Sequence, residues 1–215
     1  MKIIEAEQGS PEWFAARLGR ITASRMSDVV AQGRSGAPSA TRATYMGELA
    51  AEMLTGVQVE LYMNADMQRG TELEPLARTA YETKTRQMVD SVGLIIHPDN
   101  DRWAASPDGL VGEDGLLELK CPKTHTHIAY LLAGKPPAQY LPQMAWQAAC
   151  CGREWVDFAS YDPRMPEELQ LFIVRYEPPM SYIAELELAA TAFLAELNAM
   201  VEKLRAKMQH PGGKP

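Results

Sequence analysis

The chain has 215 residues, 46% hydrophobic and 23% charged, with a formal net charge of −7. That length suits one domain with a substantial core by the usual range of roughly 100–200 residues, and no stretch approaches the ~20 apolar residues of a membrane span. The acidic balance speaks against binding nucleic acid over the whole surface, because phosphate contacts normally show as a basic patch.

In chain order, Met1-Lys2-Ile3-Ile4-Glu5 meets an acid before any apolar run, so no signal peptide and a cytoplasmic location are expected. Trp13, between Pro11 and Phe14, is expected to anchor the N-terminal segment in the core. A helix is predicted over residues 22–30, then a loop with Gly33, Ser35, Gly36 and Pro38. A second helix over residues 42–55 has Tyr45, Leu49 and Met53 on one face and Gly56 as its stop. Glu74 falls on a helix over residues 71–83. Strands follow at 92–96, 103–106, 110–111 and 116–121. After Pro136-Pro137 comes a helix with Leu141, Met144, Ala145 and Ala148 at helical spacing, ended by Gly152, which carries Gln143 beside the sheet. Strands at 155–161 and 169–174 precede a long C-terminal helix striped by Phe193, Leu197, Val201, Leu204 and Met208, and a tail at 211–215 expected to fray. Without repeats or linkers, this reads as a single domain over residues 1–215 of mixed α/β class.

Chemistry concentrates in Ser106-Pro107-Asp108-Gly109 and Leu116-Leu117-Glu118-Leu119-Lys120-Cys121-Pro122. The intervening residues supply turn chemistry, so the segment reads as a β-hairpin with Asp114-Gly115 at its bend. Strand alternation puts Glu118 and Lys120 on one face and Leu117 and Leu119 on the other, beside Asp108. Hard cations such as Mg²⁺ take oxygen ligands and keep several waters, so Asp108, Glu118 and the Leu119 carbonyl suffice as a metal set. Lys120 would orient a metal-activated water and stabilise transition-state charge, which implies phosphodiester hydrolysis. The pattern is loose, and Pro98-Asp99 with Glu82-Thr83-Lys84 imitates it. Glu118 differs in lying inside an apolar run, where a carboxylate is costly unless paired or metal-bound.

Two further features draw duller readings. His125 and His127 have the spacing of a strand-borne metal pair, but no other histidine or cysteine completes a zinc set, so surface or DNA-facing roles are expected. Cys121, Cys150 and Cys151 show no metal-type spacing and are expected as free thiols.

The stretches RLGRITAS (17–24), SPDGLVGEDGLLELKCP (106–122) and FASYDPRMP (158–166), in this order and approximate spacing along the chain, resemble the phage lambda-type alkaline exonucleases of the restriction-endonuclease-like PD-(D/E)xK nucleases. The resemblance runs from about residue 9 to about residue 182. It implies a restriction-endonuclease-like core, a mixed central sheet flanked by helices. It also implies a Mg²⁺-dependent exonuclease, with Mn²⁺ as an alternative ion, that digests one strand of duplex DNA from its 5′ end and leaves a 3′ overhang. A homotrimeric ring acting on double-stranded DNA ends with a single-strand annealing recombinase as partner is implied as well. Residue by residue, the family's metal-binding acids and carbonyl fall on Asp108, Glu118 and Leu119, its catalytic lysine on Lys120, and a further acid on Glu74. A glutamine near the attacking water falls on Gln143, terminal-phosphate residues on Arg17, Thr22 and Ser24, and a duplex-reaching arginine on Arg34. After Cys121-Pro122 the family can carry a phosphate-binding arginine where this chain reads Lys123-Thr124-His125-Thr126-His127. The three cysteines exclude the four-cysteine iron–sulfur branch of the superfamily. In such a ring, positive potential is expected only along the channel, from Arg17, Arg20, Arg25, Arg34 and Arg42. A restriction-type endonuclease and a catalytically inactive DNA-end-binding module stand as alternatives.

Overall fold

The computed structural model describes residues 2–33, 36, 38–58 and 65–209. Two sheets share the chain. The first orders β1 (Lys2–Ile4), β4 (Leu94–His97), β5 (Asn100–Ala105) and β2 (Ile21–Thr22), antiparallel except where β2 runs parallel to β5. The second orders β3 (Val89–Asp90), β6 (Gly109–Val111), β7 (Gly115–Lys120), β8 (Trp155–Tyr161) and β9 (Leu171–Tyr176), with β7 and β8 parallel. The helices are α1 (Pro11–Arg17), α2 (Met26–Val29), α3 (Ala40–Thr55), α4 (Ala65–Thr85), α5 (Thr124–Ala133), α6 (Leu141–Cys151) and α7 (Met180–Gln209).

Helix ends follow local chemistry. Ser10 Oγ accepts the Trp13 N–H at 3.2 Å with Pro11 in the first turn, and Ser39 Oγ accepts the Arg42 N–H at 3.1 Å, each satisfying an otherwise orphaned donor. Gly152 ends α6 at φ +60, a conformation that a side chain resists.

The buried run of β7 fits a strand covered on both faces. On one side Leu117 and Leu119 pack with Ala77 and Tyr81 of α4; on the other Leu116 packs with Met144 and Ala148 of α6 and with Ile95 of the first sheet. Helix α6 also carries Trp146 into a separate core built from Tyr45, Trp103, Phe193 and Leu197. It therefore leans on both sheets at once, with its polar side turned toward β7.

Several sequence expectations shift. Residues 22–30 are not one helix: Ile21 and Thr22 pair with Trp103 and Ala104, then a 3₁₀ turn (Ala23–Arg25) leads into the four-residue α2. Pairing in the sheet outweighs a weak local helix preference. Helix α1 was not anticipated, although Trp13 does pack against the cluster of Leu94, Ile96 and Ala104. The expected central sheet is split in two, the strand at 92–96 begins at Leu94 as β4, and β3 was not anticipated. Val111 pairs with Gly115, so the hairpin bends through Gly112-Glu113-Asp114, with Gly112 at φ +56, and not at Asp114-Gly115. On α7, Phe193, Leu197 and Val201 are buried, but Leu204 and Met208 are exposed because the helix outruns the core beneath it. Among the described residues no helix is long and apolar enough to cross a membrane. Residues 211–215 lie outside the described residues.

Candidate active site

Ser106, Pro107 and Asp108 form the joint between the sheets, running from the end of β5 to the start of β6. Three side chains hold it. Trp13 Nε1 donates to Ser106 Oγ at 2.9 Å, Gln8 Nε2 donates to the Pro107 carbonyl at 2.9 Å, and Arg78 donates to the Asp108 carbonyl. The Asp108 N–H donates to the Leu117 carbonyl at 3.1 Å, and its Oδ2 accepts the Leu119 N–H at 2.6 Å. Asp108 is thereby stitched to β7 on either side of Glu118.

Glu118 is almost wholly buried, on the face of β7 toward α6. Lys120, two residues on and thus on the same face, donates to Glu118 Oε1. Gln143 Nε2 reaches that same oxygen at 2.7 Å, and Gln147 Nε2 reaches Oε2 at 2.6 Å. The ammonium of Lys120 lies 5.2 Å from the centroid of Tyr140, whose ring stacks on Phe158. Glu74 comes from α4 on the opposite side of β7, one turn before Ala77, and couples by charge to Lys120 and Glu118.

Charge in this corner is unbalanced. Burial pushes the Asp108 carboxyl well above the usual carboxylate range, and repulsion from Glu118 and Glu74 adds to it against the pull of Lys120. Burial likewise raises Glu74, with Arg78 and Lys120 opposing. For Lys120, burial works against the ammonium, but Glu118 and Asp108 outweigh it and hold the group protonated. Three acids against Lys120 and, on the Glu74 side, Arg78 is a setting that a cation would relieve, and the donors are the oxygens that Mg²⁺ prefers. Among the described residues no three His, Cys, Asp or Glu side chains could hold an ion by themselves. A cation would therefore draw on Asp108 and Glu118 together with a carbonyl such as that of Leu119 and water.

A second cluster lies beside the joint. Parallel pairing of β2 with β5 sets Thr22 against Ala104, and Arg17 Nη2 donates to Thr22 Oγ1 at 3.3 Å and Ser24 Oγ at 3.5 Å. The guanidinium also lies 4.1 Å over the Trp13 ring, the same indole that bonds Ser106. Burial lowers Arg17 to about 10, which leaves it charged at neutral pH. A partly desolvated cation between two hydroxyls is a fitting receptor for an anion. Thr22 and Ser24 belong to a strand and a 3₁₀ turn and not to the helix predicted over residues 22–30.

Other expected residues fall elsewhere. Arg25 pairs with Asp28 and Glu48, Arg42 forks onto Glu196, and Arg20 donates to the carbonyls of Asp101 and Ala16, so these three serve the protein's own surface. Arg34 lies outside the described residues. His125 and His127 sit on α5 and not on a strand. His127 is buried, its ring nitrogens bonded to Ser160 Oγ at 2.7 Å and the Leu169 carbonyl at 2.8 Å, so it is no surface residue. Burial pushes the Cys121 thiol up to about 11, and all three cysteines are free. Sequence reasoning missed Arg78, Tyr140 and Gln147. For Gln147 a signal existed: it lies four residues after Gln143, hence on the same helix face.

Comparison with known proteins bears on the family and the fold. Residues 12–154 match the model of the YqaJ-like viral recombinase domain. The crystal structure of an alkaline exonuclease, LHK-Exo, from Laribacter hongkongensis is 50% identical, covers 94% of this chain and 100% of its own, and superposes with a TM-score of 0.87. The complex of LHK-Exo with dAMP matches with the same identity and coverage and a TM-score of 0.88. A phage related exonuclease from Haemophilus somnus 129PT, 13% identical over 86% of this chain and 96% of its own, shares the fold with a TM-score of 0.67. No curated protein matches the chain.

Proposed function

We propose, since this chain belongs to the YqaJ-like viral recombinase domain family, that it is a Mg²⁺-dependent exonuclease degrading one strand of double-stranded DNA from its 5′ end to leave a 3′ overhang for strand annealing. The observation that carries the reading is the convergence of Asp108, Glu118 and Glu74 with Lys120 at the joint between the two sheets. Identity of 50% over the full length of an alkaline exonuclease supports the reaction class.

Asp108 and Glu118, with the Leu119 carbonyl, would hold the cation. When bound it would lower the pKa of a water and offset charge on a phosphate oxygen. Lys120, protonated and braced over Tyr140, would orient that water and neutralise charge that grows in the transition state. Gln143 reaches the same side of Glu118 and would share in positioning the water. Arg17, Thr22 and Ser24 would take the 5′ phosphate, and their link through Trp13 to Ser106 ties that pocket to the joint bearing Asp108. Strand polarity would follow from having the terminal phosphate on one side of the acids. Arg34, a homotrimeric ring that keeps the duplex engaged, and an annealing recombinase as partner complete the proposal; closing one heterologous interface threefold makes a ring without free ends.

The deciding experiment compares end-labelled linear duplex with covalently closed circular DNA, with Mg²⁺, Mn²⁺ or Ca²⁺ and with EDTA. Release of nucleotides from 5′ ends in Mg²⁺ or Mn²⁺, with circles intact and no cleavage in Ca²⁺, is expected. Cutting of closed circles, or full activity in EDTA, would overturn the reading.

A further inference from the structure

Gln147 is 0% exposed, and its Nε2 donates to Glu118 Oε2 at 2.6 Å. The other end of the same amide, Oε1, is buried with no hydrogen-bond partner among the described residues. A primary amide buried with one end unanswered is a net cost unless the remaining bond does something that packing alone does not. Turning the amide over would press its oxygen against a carboxylate, so the donor must face Glu118.

The two glutamines divide the carboxylate between them. Gln143 and Gln147 stack four residues apart on α6, and they address opposite oxygens, Oε1 and Oε2. The last torsion of a glutamate is broad and nearly two-fold, so a carboxylate held at one oxygen still swings. Held at both, it cannot. The partners of Oε1, Gln143 and Lys120, are half-buried and belong to the open side, whereas the only described partner of Oε2 is wholly enclosed.

We infer that Gln147 is a positioning residue for metal binding: by clamping Oε2 from inside the core it fixes the plane of Glu118 and presents Oε1 to the cation. This rests on the metal reading of Glu118 proposed above. Partners of this kind behind metal-binding carboxylates typically contribute about 10- to 100-fold in metal affinity or activity.

The test titrates Mn²⁺ into the full-length protein, following the electron paramagnetic resonance signal of the free ion, for the parent, Gln147→Met, Glu118→Gln and the double variant. Cleavage of linear duplex against MgCl₂ concentration is measured alongside. Gln147→Met, which keeps the volume and removes the donor, should weaken Mn²⁺ binding about tenfold or more and shift the MgCl₂ midpoint upward by a similar factor. In the Glu118→Gln background the same substitution should change Mn²⁺ binding no further, since Gln147 acts only through that carboxylate. Should Gln147→Met fail to fold, Gln147→Asn keeps a buried amide one methylene too short to reach and should give the same loss. If either Gln147 variant folds and binds Mn²⁺ within twofold of the parent, or if the double variant multiplies the two losses, the inference is overturned while the metal reading stands. A parent that binds no Mn²⁺ overturns both.

Discussion

Replacing Lys120 with alanine separates the two things the lysine does. In the structure its ammonium neutralises Glu118, which is about 1% exposed, while Lys120 itself is 28% exposed. Breaking a buried ion pair by removing one partner costs about 3–5 kcal/mol because a charge is left uncompensated. Gln143 and Gln147 still donate to both oxygens of Glu118, so the loss belongs at the lower end, about 3 kcal/mol. For a chain of this length each kcal/mol moves the melting temperature by about 2–4 °C, so Lys120→Ala should melt about 6–12 °C below the parent without divalent metal. Mg²⁺ would restore positive charge beside Glu118. A ligand at a hundred times its Kd stabilises by about 2.7 kcal/mol, so the gap to the parent, which already has one cation there, should narrow markedly. Cleavage should not return: loss of a preorganised electrostatic group costs about 100- to 1,000-fold in turnover, with duplex binding largely kept. Calorimetric melting with and without Mg²⁺, together with single-turnover cleavage, measures both effects. Near-normal turnover would refute the catalytic assignment, and a melting gap indifferent to Mg²⁺ would refute the charge argument.

Arg17→Ala should shrink the rate advantage of a 5′-phosphorylated duplex over a 5′-hydroxyl one while leaving Mn²⁺ binding unchanged, because Arg17 reaches Thr22 and Ser24 and not the acids; an undiminished preference would move the phosphate pocket toward Lys123. Gly115→Ala should destabilise by about 1–3 kcal/mol, read from the urea midpoint, because an added Cβ would lie 2.1 Å from the Trp155 ring, itself pinned under Arg175 at 3.4 Å. A midpoint unchanged in that variant would mean the ring yields freely. At Asp162, burial opposes ionisation but the fork from Arg164 and the bond from Thr124 overcome it and hold the carboxyl well below its usual range. A lowered carboxyl stabilises fully above its unfolded pKa of about 3.9, and that stability fades as the pH falls through the folded value. The stability deficit of Asp162→Asn should therefore be largest at neutral pH and shrink steadily below about pH 4; a constant deficit between pH 4 and pH 2 would refute the assignment.

What the order of residues determines by itself is whatever depends on near neighbours. The two-residue period of a strand puts Glu118 and Lys120 on one face, and the capping glycines Gly56 and Gly152 end α3 and α6 where expected. Helical spacing from Met144 to Ala148 turns Gln143 toward the sheet, where it meets Glu118. Arg17, Thr22 and Ser24 were named from resemblance, and the structure joins them through β2 and the turn after it, not through the helix that local propensity suggested. Only the tertiary structure decided where the sheet divides. The break falls at Ser106, Pro107 and Asp108 because Trp13, Gln8 and Arg78 reach it from distant points in the chain. The same holds for His127, which looks like a surface residue until β8 and the turn before β9 close over it with Ser160 and the Leu169 carbonyl. Spacing puts Gln147 on the helix face of Gln143, but its partner is not legible until burial removes water and leaves the Glu118 carboxylate within reach. Periodicity and capping act within a few residues and can be read along the chain. Desolvation and long-range pairing depend on which segments exclude water together, and that is settled only when the sheets and α6 have packed.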